Sequence, residues 1–172
     1  PLSVQPWREF CLELRERFPL LAEQQTGGPS PYADLYLLTD SISAQCRTDD
    51  VLVVSSTSRC NTAGHMAFRQ KKGQMPISSM GMGSMGFALP SAVGAAFAAG
   101  LHRRLIVLEG DGSFQLNIQE LQTIRQHGIN AKIFVFCNGG YAAIATMQDR
   151  NFSGFHVASD AGSGVTMPDL ER

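Results

Sequence analysis

Apolar positions along the chain follow two periods. Residues 51–54, 105–108 and 133–136 are short runs without polar interruption, rich in branched side chains, as expected of strands buried on both faces. Between the last two, Ile118, Leu121, Gln122 and Arg125 recur at helical spacing, so this region predicts one strand–helix–strand unit. An Ala-rich stretch at 88–99 predicts another helix, preceded at 74–79 by a weak strand that contains Pro76. Residues 7–25 read as an amphipathic helix of mixed charge, packed outside the sheet or serving as a linker. Gly27, Gly28 and Pro29 break the chain. Ser30 and Pro31 then predict the cap and first position of a second helix carrying Leu35, Leu38 and Ile42 on one face. Residues 55–64 read as a polar loop. This order of elements predicts an α/β fold: a doubly wound, mostly parallel sheet with helices on both faces.

A strand–helix–strand unit brings the loops after both strands to one sheet edge, so Asp111 and Asn138 are expected side by side. A hard carboxylate oxygen and a neutral carbonyl oxygen suit Mg²⁺ or Ca²⁺ rather than zinc. Two protein oxygens are too few for a cage, and Mg²⁺ fills its remaining positions with water and phosphate oxygens, so the expected partner is a diphosphate. Gly110 and Gly112 allow a tight turn there, and the amides of Gly112 and Ser113 precede a helix whose positive end favours anions. By itself the tripeptide 110–112 is also what a plain turn after a strand looks like. Gly81, Gly83 and Gly86 spell G-x-G-x-x-G, the dinucleotide fingerprint, with Glu109 ending the next strand. The weak strand before them makes the match partial and leaves a nicotinamide-dependent oxidoreductase as an alternative.

Three motifs, Gly83-Ser84-Met85-Gly86-Phe87-Ala88-Leu89-Pro90, Gly110-Asp111-Gly112-Ser113-Phe114 with Gln119-Glu120-Leu121, and Cys137-Asn138-Gly139-Gly140-Tyr141, occur in the order and spacing of thiamine-diphosphate enzymes. The chain resembles the diphosphate-binding domain of the acetolactate synthase large subunit and its relatives, most strongly over 71–148. The resemblance implies that Asp111, the Asn138 side chain and the Gly140 carbonyl bind Mg²⁺, and that the amides of Gly112, Ser113, Tyr141 and Ala142 contact the diphosphate. It implies that Met85 props thiamine diphosphate into a bent shape and that the Gly83 carbonyl accepts a hydrogen bond from the aminopyrimidine, with Ser84 between them at the cofactor. The bend brings the cofactor's own amino group beside the thiazolium carbon that loses its proton. The implied activity is decarboxylation of a 2-oxo acid such as pyruvate with carboligation; simple decarboxylation and C–C lyase chemistry are its alternatives, as is a cofactor-binding module without catalysis. Catalytic residues are expected outside this chain, because the activating glutamate lies in the family's other cofactor domain. FAD belongs only to the full-length relatives, and a homodimer or homotetramer is the implied assembly. The chain departs from the family at Cys137, where a first asparagine is common, at Met80, where glycine is usual, and at Arg59, Cys60 and Asn61, in a loop that helps hold the diphosphate in relatives. His65 is a further candidate for reaching the site.

Length and composition narrow the partners. The 172 residues suit one domain, read as 30–172 with 1–29 as linker and helix from upstream domains, and residues 167–172 read as a helix in its first turn. A net charge of −1 with no basic run argues against nucleic acid, Lys71 and Lys72 being a solvated turn. The most apolar stretch, 87–101, is interrupted and too short to span a bilayer. Cys11, Cys46, Cys60 and Cys137 lack paired metal or redox spacing, which points to free thiols in the cytoplasm.

Overall fold

The computed structural model describes residues 3–19, 21 and 30–170. Its elements are α1 (Gln5–Arg17), α2 (Leu35–Gln45), β1 (Val51–Val54), α3 (Ser58–Met66), β2 (Met75–Ile77), α4 (Ala88–Ala99), β3 (Leu105–Gly110), α5 (Asp111–Phe114), α6 (Glu120–Gln126), β4 (Ala131–Phe136) and α7 (Ala142–Asn151), with 3-10 turns at Gln115–Asn117 and Ala161–Ser163. The strands form one parallel sheet in the order β2-β1-β3-β4, as the apolar runs predict. Strand β2, the weak one, takes an edge, where the missing N–H of Pro76 costs no ladder bond.

Side chains alternate between the two faces of the sheet. Val51, Val53, Leu105 and Val107 pack against Ala88, Ala92, Ala95 and Ala96 of α4, with Ile124 of α6 beside them. Leu52, Val54, Ile106 and Leu108 pack on the other face against Ile42 and Cys46 near α2, Cys60 of α3 and Phe68. Right-handed crossovers account for this division. Passing from β1 to β2 puts α3 on one face; passing from β2 back over β1 to β3 reverses direction and puts α4 on the other; β3 to β4 keeps that direction and keeps α6 beside α4.

Four expectations need correction. The helix predicted to begin at Ser30 and Pro31 begins at Leu35, because Asp34 accepts the amides of Tyr36 and Leu37 at 2.9 Å each, while the Ser30 hydroxyl accepts only the Tyr32 amide at 3.1 Å. Its buried face is Thr39, Ile42 and Ser43, and Leu38 is exposed. The predicted loop 55–64 is helical from Ser58, with small Cys60 and Ala63 facing the sheet in place of a large apolar stripe. Helix α1 ends at Arg17 and buries no residue; Trp7 stays exposed and packs on Phe10 at 5.7 Å between ring centroids. The remainder of the stretch predicted to reach Gln25 falls largely outside the described residues, as does the break at 27–29. Of residues 167–172, which read as a first helical turn, the described ones, 167–170, carry no helix.

Candidate functional site

The connections leaving β1 and β3 at their carboxyl ends run in opposite directions, which opens a crevice between them. A cleft of about 1380 Å³ lies there. Four loops line it: Ser55 and residues 57–60 after β1, Gly83 and Met85 before α4, residues 110–113 after β3, and residues 137–144 after β4; residues 30 and 32–36 reach it from the start of α2. The two loops of the strand–helix–strand unit meet as predicted.

Asp111 joins them. Its carboxylate is buried, one oxygen accepts the Gly112 amide at 2.8 Å, and the other accepts the amides of Asn138 and Gly139 at 2.9 Å each. A carboxylate offers about four lone-pair sites, so this arrangement orients Asp111 and still leaves one for a cation. Asn138 is exposed beside it, and its side-chain oxygen accepts the Gly140 amide at a long 3.4 Å. Gly140 is held from behind by a bridge to Asp160, and a Cβ there would stand 2.5 Å from the Ser159 carbonyl oxygen, so only glycine allows this approach. Among the described residues no three His, Cys, Asp or Glu side chains cluster as metal ligands; one carboxylate with amide and backbone carbonyls suits a hard cation shared with a polyanion.

The amides available to an anion differ from those expected. The Gly112 N–H is already given to Asp111, and the Tyr141 N–H is given to the Ser159 carbonyl at 2.8 Å. The first turn of α7, residues 142–144, has no side-chain cap and lines the cleft, and α5 likewise begins uncapped at Asp111. Ser113 and Ala142 line the cleft at these two uncapped starts.

The glycine turn at 83–86 and the start of α4 are bound to the segment around Asp111 by three hydrogen bonds. Gly86 donates its amide to the Ser113 hydroxyl at 2.7 Å and accepts from the Asn117 side chain at 2.8 Å; Ala88, at the start of α4, donates to Glu109 Oε2 at 3.3 Å. Gly86 has φ +75°, and a Cβ on it would lie 2.6 Å from Asn117 Nδ2. This disposes of the dinucleotide reading. A pyrophosphate would need the amino end of α4, and that end already holds a buried carboxylate from the very residue the fingerprint would reserve for ribose. Met85 lines the cleft and is about one-third exposed, whereas Ser84 does not line it.

His65 does not reach the cleft; its Nε2 lies 3.1 Å from the Ser78 hydroxyl. Cys60 does line it, but burial and then the negative charge of Glu109 push its thiol far up, so it stays protonated. Asn117 and Ser55 escaped the sequence reading, and Glu109 entered it only as the acidic residue of the dinucleotide fingerprint. The Ser55 hydroxyl is buried against the cleft with no hydrogen-bond partner among the described residues. An acidic residue closing an apolar strand was a usable signal for Glu109; nothing local distinguished the other two.

An open parallel sheet with a cleft at its switch point defines an α/β ligand-binding domain. The family described as thiamine pyrophosphate enzyme, C-terminal TPP binding domain, matches residues 57–170, and the chain belongs to it. An acetolactate synthase of Arthrospira platensis is 32% identical over 160 residues, covering 93% of this chain and 26% of that protein. The acetolactate synthase isozyme 2 large subunit of Escherichia coli (strain K12) is 34% identical over 155 residues, covering 88% and 27%. In fold, the chain is similar to the thiamine diphosphate-dependent 4-hydroxybenzoylformate decarboxylase of Rhodococcus jostii RHA1, with a TM-score of 0.65 at 24% identity over 81% of this chain and 28% of that one. The chain thus spans about a quarter of the length of these acetolactate synthases.

Proposed function

We propose that the cleft holds thiamine diphosphate together with Mg²⁺, and that the protein carrying it decarboxylates a 2-oxo acid such as pyruvate and joins the product to a second carbonyl compound. The observation that carries this reading is the Asp111 carboxylate, fixed by three amides from two loops with one coordinating position left. The donor set fits the group. Asp111, the Asn138 side chain and the Gly140 carbonyl would hold Mg²⁺, with phosphate oxygens and water completing its shell. The Ser113 amide and the first turn of α7 would receive the diphosphate, and the unpartnered Ser55 hydroxyl would find an acceptor or donor on it.

Thiamine diphosphate, when bound, supplies a thiazolium ring that adds to a carbonyl carbon and accepts the electron pair released on decarboxylation. The chain's own part is positioning. Met85 would support the bent shape and the Gly83 carbonyl would orient the aminopyrimidine, while Asp111 fixes the diphosphate end. No residue of this chain is assigned a proton-transfer role; the activating glutamate is expected from another domain, in keeping with the quarter-length coverage of the relatives. A homodimer or homotetramer in the cytoplasm, with FAD only in the complete protein, completes the proposal. Incubating the complete protein with pyruvate, thiamine diphosphate and Mg²⁺ and analysing products tests it: acetolactate is expected, acetaldehyde alone would replace carboligation by simple decarboxylation, and no pyruvate loss would contradict the 2-oxo acid assignment.

A further inference from the structure

Glu109 is fully buried, and no cation pairs with it among the described residues. An isolated buried carboxylate is costly, and here backbone donors offset the cost: Oε1 accepts the Gly110 amide at 3.0 Å and Oε2 the Ala88 amide at 3.3 Å, at the positive end of the twelve-residue helix α4. The two amides belong to different halves of the cleft. Gly110 leads directly into Asp111, and Ala88 follows directly from the turn that carries Gly83 and Met85. Asn117 makes the same connection from the other side, reaching the Gly86 carbonyl at 2.8 Å from the 3-10 turn after Asp111.

We propose that Glu109 and Asn117 are positioning residues that set the separation between the glycine turn and the Asp111 loop, and so make the cleft selective for a ligand that must reach both. This rests on the reading of the cleft as a thiamine diphosphate site. A bare diphosphate would engage only the Asp111 side; a ligand with an aminopyrimidine at its other end would also need Gly83 and Met85 at the right distance. Capping α4 would require only one acceptor. Glu109 supplies two, one to each half, and an amide side chain in its place could accept at only one oxygen while turning an N–H₂ group toward the other backbone N–H.

The test compares two ligands on three proteins. Wild type, Glu109→Gln and Asn117→Ala are titrated in the full chain with Mg²⁺–pyrophosphate, which probes the Asp111 half, and with Mg²⁺–thiamine diphosphate, which probes both. Thiamine diphosphate affinity is expected to fall roughly tenfold in Glu109→Gln and about threefold in Asn117→Ala, with pyrophosphate affinity held within about twofold. Removing a negative charge would by itself favour both anions alike, so the ratio isolates positioning. Circular dichroism checks the fold, and if Glu109→Gln unfolds, Asn117→Ala on its half-buried side chain decides. An unchanged ratio of the two affinities in the folded variants would overturn the proposal while leaving the site assignment intact. Wild type that binds pyrophosphate but not thiamine diphosphate, or neither, would overturn the assignment and the proposal with it.

Discussion

His156 places both ring nitrogens against carboxylates, Nδ1 at 2.7 Å from Asp160 and Nε2 at 2.8 Å from Asp149. The hydrogen bond to Asp160, then that to Asp149, raises its pKa above the ordinary 6.5. Asp160 also caps the turn at Ala161–Ser163 and bridges Gly140, so the imidazolium supports the loop beneath the cleft. A folded pKa above the unfolded one means a stabilisation fully present below about pH 6.5 and lost as pH rises through the raised value. Asp160 acts in the opposite sense: bonds from Ser163 and then His156 lower its pKa, and its contribution is lost as pH falls through that lowered value. Hydrogen-exchange protection of the Ser163 and Tyr141 amides should therefore decline with rising pH above 6.5 in wild type and show no such step in His156→Asn. Identical profiles in the two proteins would refute the clasp. None of this was legible in the sequence, because Asp149, His156 and Asp160 meet only after the chain turns back from α7. Asp111 and Asn138 were legible, since one strand–helix–strand unit delivers both to the same edge. Ser55, Asn117 and the diverted amides of Gly112 and Tyr141 were not: Asn117 and Tyr141 meet partners distant in sequence, Gly112 gives its amide to the neighbouring Asp111 side chain, and the Ser55 hydroxyl has no partner among the described residues.

At the scale of elements, strands β1, β3 and β4 were readable because strands buried on both faces leave unbroken apolar runs. Helix α4 was readable from alanine content alone. Its small side chains let it lie close over Val51, Val53, Leu105 and Val107, with Ala92 and Ala96 fully buried. Replacing Ala92 with leucine should overpack this layer and cost about 1–3 kcal/mol, measured by urea denaturation; a variant as stable as wild type would show that the layer has room to yield. Helix α3 was missed for the converse reason. Its contact residues are Cys60, Ala63 and Gly64, too small and too polar in context to write a hydrophobic period, so the sheet beneath dictates the helix more than the local sequence does. The start of α2 went astray because Ser30–Pro31 and Asp34 are both acceptable start signals, and only the one whose carboxylate reaches two amides prevails.

For the whole molecule, the sheet sorts stability and binding to opposite ends. Before β1 and β3, Arg104 grips buried Asp50 through Nε at 2.8 Å and Nη2 at 2.5 Å. Burial pushes the Asp50 carboxyl up, but Arg104 and the Arg47 amide outweigh it and leave its pKa below the ordinary value. Beyond the carboxyl ends of the same strands lies the cleft, where polar groups remain open to a ligand. Among the described residues no helix is long and apolar enough to cross a membrane. In the proposed function this cleft binds thiamine diphosphate through a cation held by Asp111 and Asn138. Calorimetric titration with thiamine diphosphate, with and without Mg²⁺, tests it most directly when wild type is compared with Asp111→Ala and Asn138→Ala. Binding that needs Mg²⁺ and falls by at least about tenfold in both variants is expected. Binding of equal strength without Mg²⁺, or unaffected by the loss of Asp111, would contradict it.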